Sequence, residues 1–166
     1  VKTQFKVGDA VVHMSHGMGK IIDDISMGIL GEKQKSFLVL EIQDGDDAKR
    51  VFVPTESAGA WLRKPIQKSE LKKIYSVLSQ KGEPDIETWN RRFRSYMEKM
   101  STGKTESVAE VLRDLNAIKK ESHLSFGERK LFDQALQMLC AELSISEGVS
   151  IEAVEEKIAN ALSGEK

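Results

Sequence analysis

The stretch Thr88-Trp89-Asn90-Arg91-Arg92-Phe93-Arg94 places two aromatic rings and three guanidinium groups within seven residues, the residue types on which nucleic-acid binding draws. Guanidinium groups neutralise phosphates, and an apolar ring can wedge between base steps from the minor groove. At 100° per residue, Trp89, Phe93, Tyr96 and Met97 share one side of a helix. Arg91 and Arg94 fall opposite, with Arg92 and Lys99 flanking the aromatic side. The same period is shown by a helix that buries Trp89 as its first core residue. The pattern therefore leaves two readings open, a core tryptophan or an overhanging wedge.

Other chemistry-bearing residues lead to less. Gly17-Met18-Gly19-Lys20 has the outline of a phosphate loop, but a Walker A needs an earlier glycine and a Ser or Thr that opens a helix. Here Ile21 follows and a strand comes next, so a β-turn is expected. His13 and His16, with Asp9, invite a metal reading. A His-x-x-His at a strand end without a third nearby ligand fits ordinary strand and turn histidines better. Cys140 lies on a Leu-rich helix and reads as a small hydrophobe. No nucleophile has an accompanying signature such as G-x-S-x-G, and the carboxylates stand in no recognisable acid–base context. No catalytic residue, metal ligand or cofactor is assigned, and the chain is not expected to be an enzyme.

A chain of 166 residues, 40% apolar and 31% charged, is long enough for one domain or two small ones. One cysteine excludes an intramolecular disulfide and a cysteine-built zinc site. There is no apolar run near the roughly 20 residues of a membrane span, and VKTQFKVGD lacks the apolar core of a secretory signal. A cytoplasmic protein without a membrane partner is expected. The 25 basic and 26 acidic groups nearly balance, but unevenly along the chain. Residues 1–62 carry 7 basic and 9 acidic groups, 63–104 carry 11 and 5, and 105–166 carry 7 and 12. The middle segment, at +6, is the one that contains Trp89.

The elements that must position these residues change type near Lys64. Residues 9–14, 19–27, 35–42 and 48–53 are short and rich in β-branched or aromatic residues, which predicts strands. Turn chemistry separates them at His16 to Gly19, Gly28 to Gly31 and Asp44-Gly45-Asp46. Some 60 residues of this kind suggest a small, strongly bent antiparallel barrel. After Pro65 the period becomes 3.6. Five amphipathic helices are predicted, with apolar faces at Leu71/Ile74/Tyr75/Leu78, Ile86/Trp89/Phe93/Met97/Met100, Val108/Val111/Leu112/Leu115/Ile118, Leu131/Ala135/Leu139/Leu143 and Ile151/Val154/Ile158/Leu162. Asp85, Ser125 and Ser150 are the predicted caps, with Glu128 closing a capping box on Ser125. The fold class is thus α+β in two domains, residues 1–64 and 65–166.

Several of these segments together resemble the CarD/CdnL-like bacterial transcription regulators. FKVGDAVVHMSHGMGKIIDDI (5–25) is similar to that family's G-D-x-V-V strand and H-G-x-G turn, and VFVPTESAGAWLRKP (51–65) to its V-P-V-x-x-A segment. WNRRFRSYMEKMSTGKTESVAEVLRDL (89–115) and LSFGERKLFDQALQMLCAEL (124–143) match its W-x-x-R, A-E-V-x-R-D-L and L-S-x-G-E-[KR] signatures. The resemblance covers nearly the whole chain. It implies a Tudor-like amino-terminal barrel that binds the RNA polymerase β subunit, and a helical domain that contacts promoter DNA at the upstream edge of the bubble and stabilises the open complex. The same barrel occurs in the transcription-repair coupling factor, whose helicase motifs are lacking here.

Carried over by motif, Trp89 would be the minor-groove wedge, Arg91 and Arg92 its phosphate-contacting neighbours, and Arg129 a further DNA contact. Met27, Lys49, Arg50, Val51 and Phe52 would meet polymerase. DNA binding would be weak for the chain alone and stronger in the polymerase complex, and the chain a monomer. Departures are His13-Met14 in place of a common Tyr-Pro, Trp61 in place of Gly before Leu-Arg, and apolar Met27 and Phe52 where some relatives carry Arg.

Overall fold

The structure, a computed structural model, describes residues 3–28, 31, 33–84 and 88–164. The chain divides into two compact units, Val1–Pro65 and Ile66–Lys166.

The first unit is an antiparallel sheet of five strands: β1 (Ala10–His13), β2 (Gly17–Met27), β3 (Lys35–Asp44), β4 (Asp47–Pro54) and β5 (Leu62–Arg63). The strand order is β4-β3-β2-β1-β5, with a short helix α1 (Ala58–Trp61) ahead of β5. Alternation on β1 to β4 turns Val11, Ile21, Leu38, Leu40, Ile42 and Val53 to one side, where Phe5, Ala58 and Leu62 join them in the core. Between Ile21 and Asp23 the β2–β3 register slips, a β-bulge that sharpens the bend of a sheet this small. This is the small, bent antiparallel unit that the strand pattern predicts.

Gly17 to Lys20 is not a β-turn, however. The turn is Met14–His16, and Gly17 already pairs with His13 inside β2. Gly17 has φ +78°, which favours glycine. Gly19 lets β3 approach, because a Cβ there would stand 2.8 Å from Ile42 Cγ1. The β3–β4 hairpin closes on Gly45-Asp46 between paired Asp44 and Asp47, with Gly45 at φ +64°. Ile29 and Leu30, in the turn expected at Gly28 to Gly31, lie outside the described residues.

The second unit contains α2 (Lys68–Ser79), α3 (Trp89–Ser101), α4 (Thr105–Glu121), α5 (Phe126–Glu147) and α6 (Ile151–Ser163). Their apolar faces meet in one core that includes Ile74, Tyr96, Leu112, Leu115, Leu139 and Ile158. Ser125 and Ser150 cap α5 and α6, their hydroxyls accepting from Glu128 N and Ala153 N. Gln67 caps α2 through a box with Glu70 that the sequence pattern did not suggest. The start of the unit is pinned to α5, where buried Glu142 accepts from the Ile66 backbone (3.0 Å) and from Thr105 Oγ1 (3.0 Å).

Helix α3 starts at Trp89, with Thr88 at its N-cap. The expected cap Asp85 and the apolar position Ile86 lie outside the described residues. Besides Trp89, two residues expected on core faces are exposed instead, Met97 and Ile151. The buried stripe of α3 runs through Phe93, Tyr96 and Met100, which leaves Met97 one step round the helix. Ile151 is the first residue of α6, beyond the edge of the core.

Candidate nucleic-acid interface

Trp89 is the first residue of α3 and is 46% exposed. Its indole is nevertheless fixed on three sides. The ring stacks on Phe93, with centroids 5.5 Å apart and planes 16° from parallel. Its Nε1–H donates to Ser125 Oγ at 3.0 Å. Gly127 lies beneath both rings, since a Cβ there would come 3.2 Å from Phe93 Cε2 and 3.7 Å from Trp89 Cζ2. The wedge candidate is therefore neither a core residue nor a loose one.

Sequence adjacency explains why α5 supplies this seat. Ser125 is the N-cap, so its hydroxyl faces the open end of the helix, where it accepts from both Glu128 N and the indole. Glu128 returns the capping box by accepting from Ser125 N at 3.0 Å. Its other oxygen receives the Arg92 guanidinium, with Nε at 3.0 Å. Burial works to raise the Glu128 pKa, but the Ser125 backbone N–H and the Arg92 guanidinium outweigh it and hold the carboxyl below its ordinary value. Arg92 thus ties α3 to α5, with its side chain 19% exposed and that of Glu128 3%.

Arg91 and Arg129 are exposed, as are Arg94 and Lys130. Arg91 and Arg94 follow Trp89 on α3, and Arg129 and Lys130 lie near the start of α5, which carries Ser125 at its cap. The starts of the two helices therefore meet at one indole. The four residues taken from the sequence divide accordingly: Trp89, Arg91 and Arg129 are open to solvent, while Arg92 is engaged with a buried carboxylate. The sequence reading missed Phe126, which is 84% exposed beside the Trp89 seat. It also took Ser125 for a helix cap alone and assigned Gly127 nothing. Only the position of Phe126 directly after a capping serine could have signalled its exposure, because a first-turn residue has no preceding turn to pack on.

In the first unit the strand register sorts the other candidates. Asp23, Val39 and Phe52 are cross-strand partners, as are Ile25, Phe37 and Pro54, so Met27 and Phe52 share the outer face with Ile25 and Phe37 between them. Met27 and Phe52 are each 49% exposed. Arg50 points outward with Phe52, whereas Val51 packs on the core and Lys49 pairs with Asp44 at 3.5 Å. β4 is an edge strand of the sheet.

Asp9, His13 and His16 do not assemble a metal site. Among the described residues no group of three or more His, Cys, Asp or Glu could hold an ion. Asp9 instead accepts from the Lys6 backbone. His13 is buried, accepts from Ser15 N through Nδ1 and stacks on Trp61 at 6.1 Å. Its pKa is lowered by burial first, then by His16 and Lys49. Trp61 and His13-Met14 are therefore neighbours, and Met14 N donates to Trp61 O at 3.0 Å.

Residues 73–159 match the family described as CarD, C-terminal domain, and residues 5–66 match the CarD-like/TRCF RID domain. The chain belongs to the CarD family. It is 30% identical over 147 residues to YdeB of Bacillus subtilis (strain 168), a protein named as a candidate transcription factor, across 88% of this chain and 94% of that one. The CarD family is one of transcription regulators that engage RNA polymerase, and its matched domains are interaction domains rather than enzyme families. No helix among the described residues is long and apolar enough to cross a membrane.

Proposed function

We propose that this CarD-family chain is a tethered wedge. The first unit binds the β subunit of RNA polymerase through the outer face and edge of β4, with Met27, Arg50 and Phe52 as principal contacts and Lys49 and Val51 beside them. The second unit presents Trp89 to the minor groove at the upstream edge of the promoter bubble, with Arg91 and Arg129 on phosphates. Arg92 supports the site by holding α3 on α5. The protein works as a monomer in the bacterial cytoplasm, reaching the nucleoid through polymerase, and performs no catalysis.

The observation that carries this reading is a large aromatic side chain that is half in solvent yet held by a stack and a hydrogen bond. A held ring loses little conformational entropy on inserting, so more of its contact energy appears as binding. An unstacked, kinked step offers more ring contact than regular duplex, which favours the open state by differential binding. A few phosphate contacts alone give weak DNA affinity that falls with salt. Attachment to polymerase makes the DNA contact intramolecular at roughly millimolar effective concentration. No base code needs to be read, since the minor groove presents a degenerate one.

A photo-crosslinking side chain at position 91, in promoter complexes assembled with polymerase, tests this directly. Crosslinks to DNA at the upstream bubble edge are the expected result. Crosslinks to protein alone would favour an adaptor that holds two proteins and touches no DNA.

A further inference from the structure

Resting on that reading, we infer that Ser125 and Gly127, at the start of α5, are positioning residues that preorganise Trp89 for DNA, so that the α5 cap and the wedge are one device. The Ser125 hydroxyl has two donors directed at it, Glu128 N at 3.2 Å from its own helix and the Trp89 indole N–H at 3.0 Å from another. The first bond is the ordinary work of an N-cap. The second does nothing for α5, and the indole N–H, on a half-exposed ring, could be satisfied by water instead. What the second bond does is fix which edge of the ring faces out. Stacked on Phe93 with its nitrogen turned to Ser125, the indole is still half exposed.

Gly127 acts from below. The stacked pair passes so close to its backbone that any side chain would meet Phe93 at 3.2 Å. Gly127 carries no positive φ, so backbone conformation does not demand glycine there. The requirement is room for the rings. Arg92 and Glu128 complete the seat by fixing α3 against α5. A side chain held in this way binds with less ordering cost than one that must first be immobilised.

The opposite device has the same residues, a latch that stores the indole and must release it before insertion. The two differ in the sign of the effect. Ser125→Gly separates cap from positioning, because glycine is a tolerable N-cap but offers the indole no acceptor. Open-complex lifetime with the cognate polymerase is measured for wild type, S125G, S125T, G127A and Trp89→Ala, with melting temperature followed for each. The rotational freedom of Trp89 is read by fluorescence anisotropy in a Trp61→Phe background, which leaves a single indole among the two tryptophans.

Preorganisation gives a lifetime shortened about 2- to 10-fold for S125G, the range of one lost hydrogen bond, with faster indole motion and rescue by S125T. G127A, which disturbs the ring seat without touching the cap hydroxyl, shortens the lifetime as well, and it decides the matter if S125G does not fold. A longer lifetime for S125G would establish the latch and overturn the inference. Wild-type lifetimes for both S125G and G127A, while Trp89→Ala shortens it, would also overturn it and leave the wedge standing. No effect from Trp89→Ala would remove the wedge itself, and the inference with it.

Discussion

Trp89 Nε1 donates to Ser125 Oγ across 3.0 Å, joining the first residue of α3 to the N-cap of α5. This bond decides what the sequence period could not, because it fixes the indole outside the core while keeping it ordered. The starts of the two helices are thereby joined.

Arg92 and Arg129 should separate stability from DNA contact. Arg92→Ala leaves Glu128, 3% exposed, without its guanidinium, and breaking a largely buried pair costs about 2 to 4 kcal/mol. Arg129→Ala removes an exposed charge and should change stability by less than about 0.5 kcal/mol. Urea denaturation checks both. If the two variants lost equal stability, the supporting role assigned to Arg92 would fail.

The salt dependence of DNA binding should carry the complementary signature. Each lost phosphate contact lowers the slope of log K against log salt by about 0.9. Arg91→Ala and Arg129→Ala are expected to do so singly, and additively in the double variant. Titrations of a polymerase–promoter complex at several salt concentrations measure it, and an unchanged slope would take both residues off the phosphates.

Acid should loosen the α3–α5 junction through Glu128. Its folded pKa is lowered, so the stabilisation is present above the ordinary carboxylate value, 4.5, and is lost as pH falls through the depressed one. The stability difference between wild type and Glu128→Gln is therefore expected to shrink below pH 4.5. Melting temperatures of the two between pH 3 and 6 test this.

His13 gives the first unit a different dependence. Burial lowers its pKa from 6.5, so the unfolded chain takes up the proton first and stability is lost as pH falls below 6.5. His13→Tyr, which removes the titrating imidazole, should flatten that dependence between pH 5 and 7. The fragment 1–65, if folded, offers a clean readout, and it should also retain polymerase binding that Phe52→Asp abolishes.

Much of the fold was legible because strands and helices announce themselves by period. Val108, Leu112 and Leu115, or Leu131, Ala135 and Leu139, repeat at helical spacing and are buried as expected. Period is blind to where a core ends, which is why Met97 and Ile151 look like core residues in the sequence and stand in solvent. Turn chemistry misled at Gly17 to Lys20, where the glycines serve a strand needing positive φ and close approach. In the candidate site the aromatic and basic residues of 89–94 were visible as a cluster. Its other half comes from 125–128, more than 30 residues away, and only tertiary packing brings the two together. The commitment of Arg92 to Glu128 was invisible for the same reason.

The measurement that bears most directly on the tethered wedge is the lifetime of competitor-challenged promoter open complexes formed by the cognate polymerase with no factor, wild type or Trp89→Ala. Wild type should lengthen the lifetime. A folded, polymerase-binding Trp89→Ala protein should lose about 5- to 150-fold of it, the equivalent of the 1 to 3 kcal/mol that stacking on a base is worth. A lifetime equally long with Trp89→Ala, or unchanged by wild type that binds polymerase, would contradict the wedge.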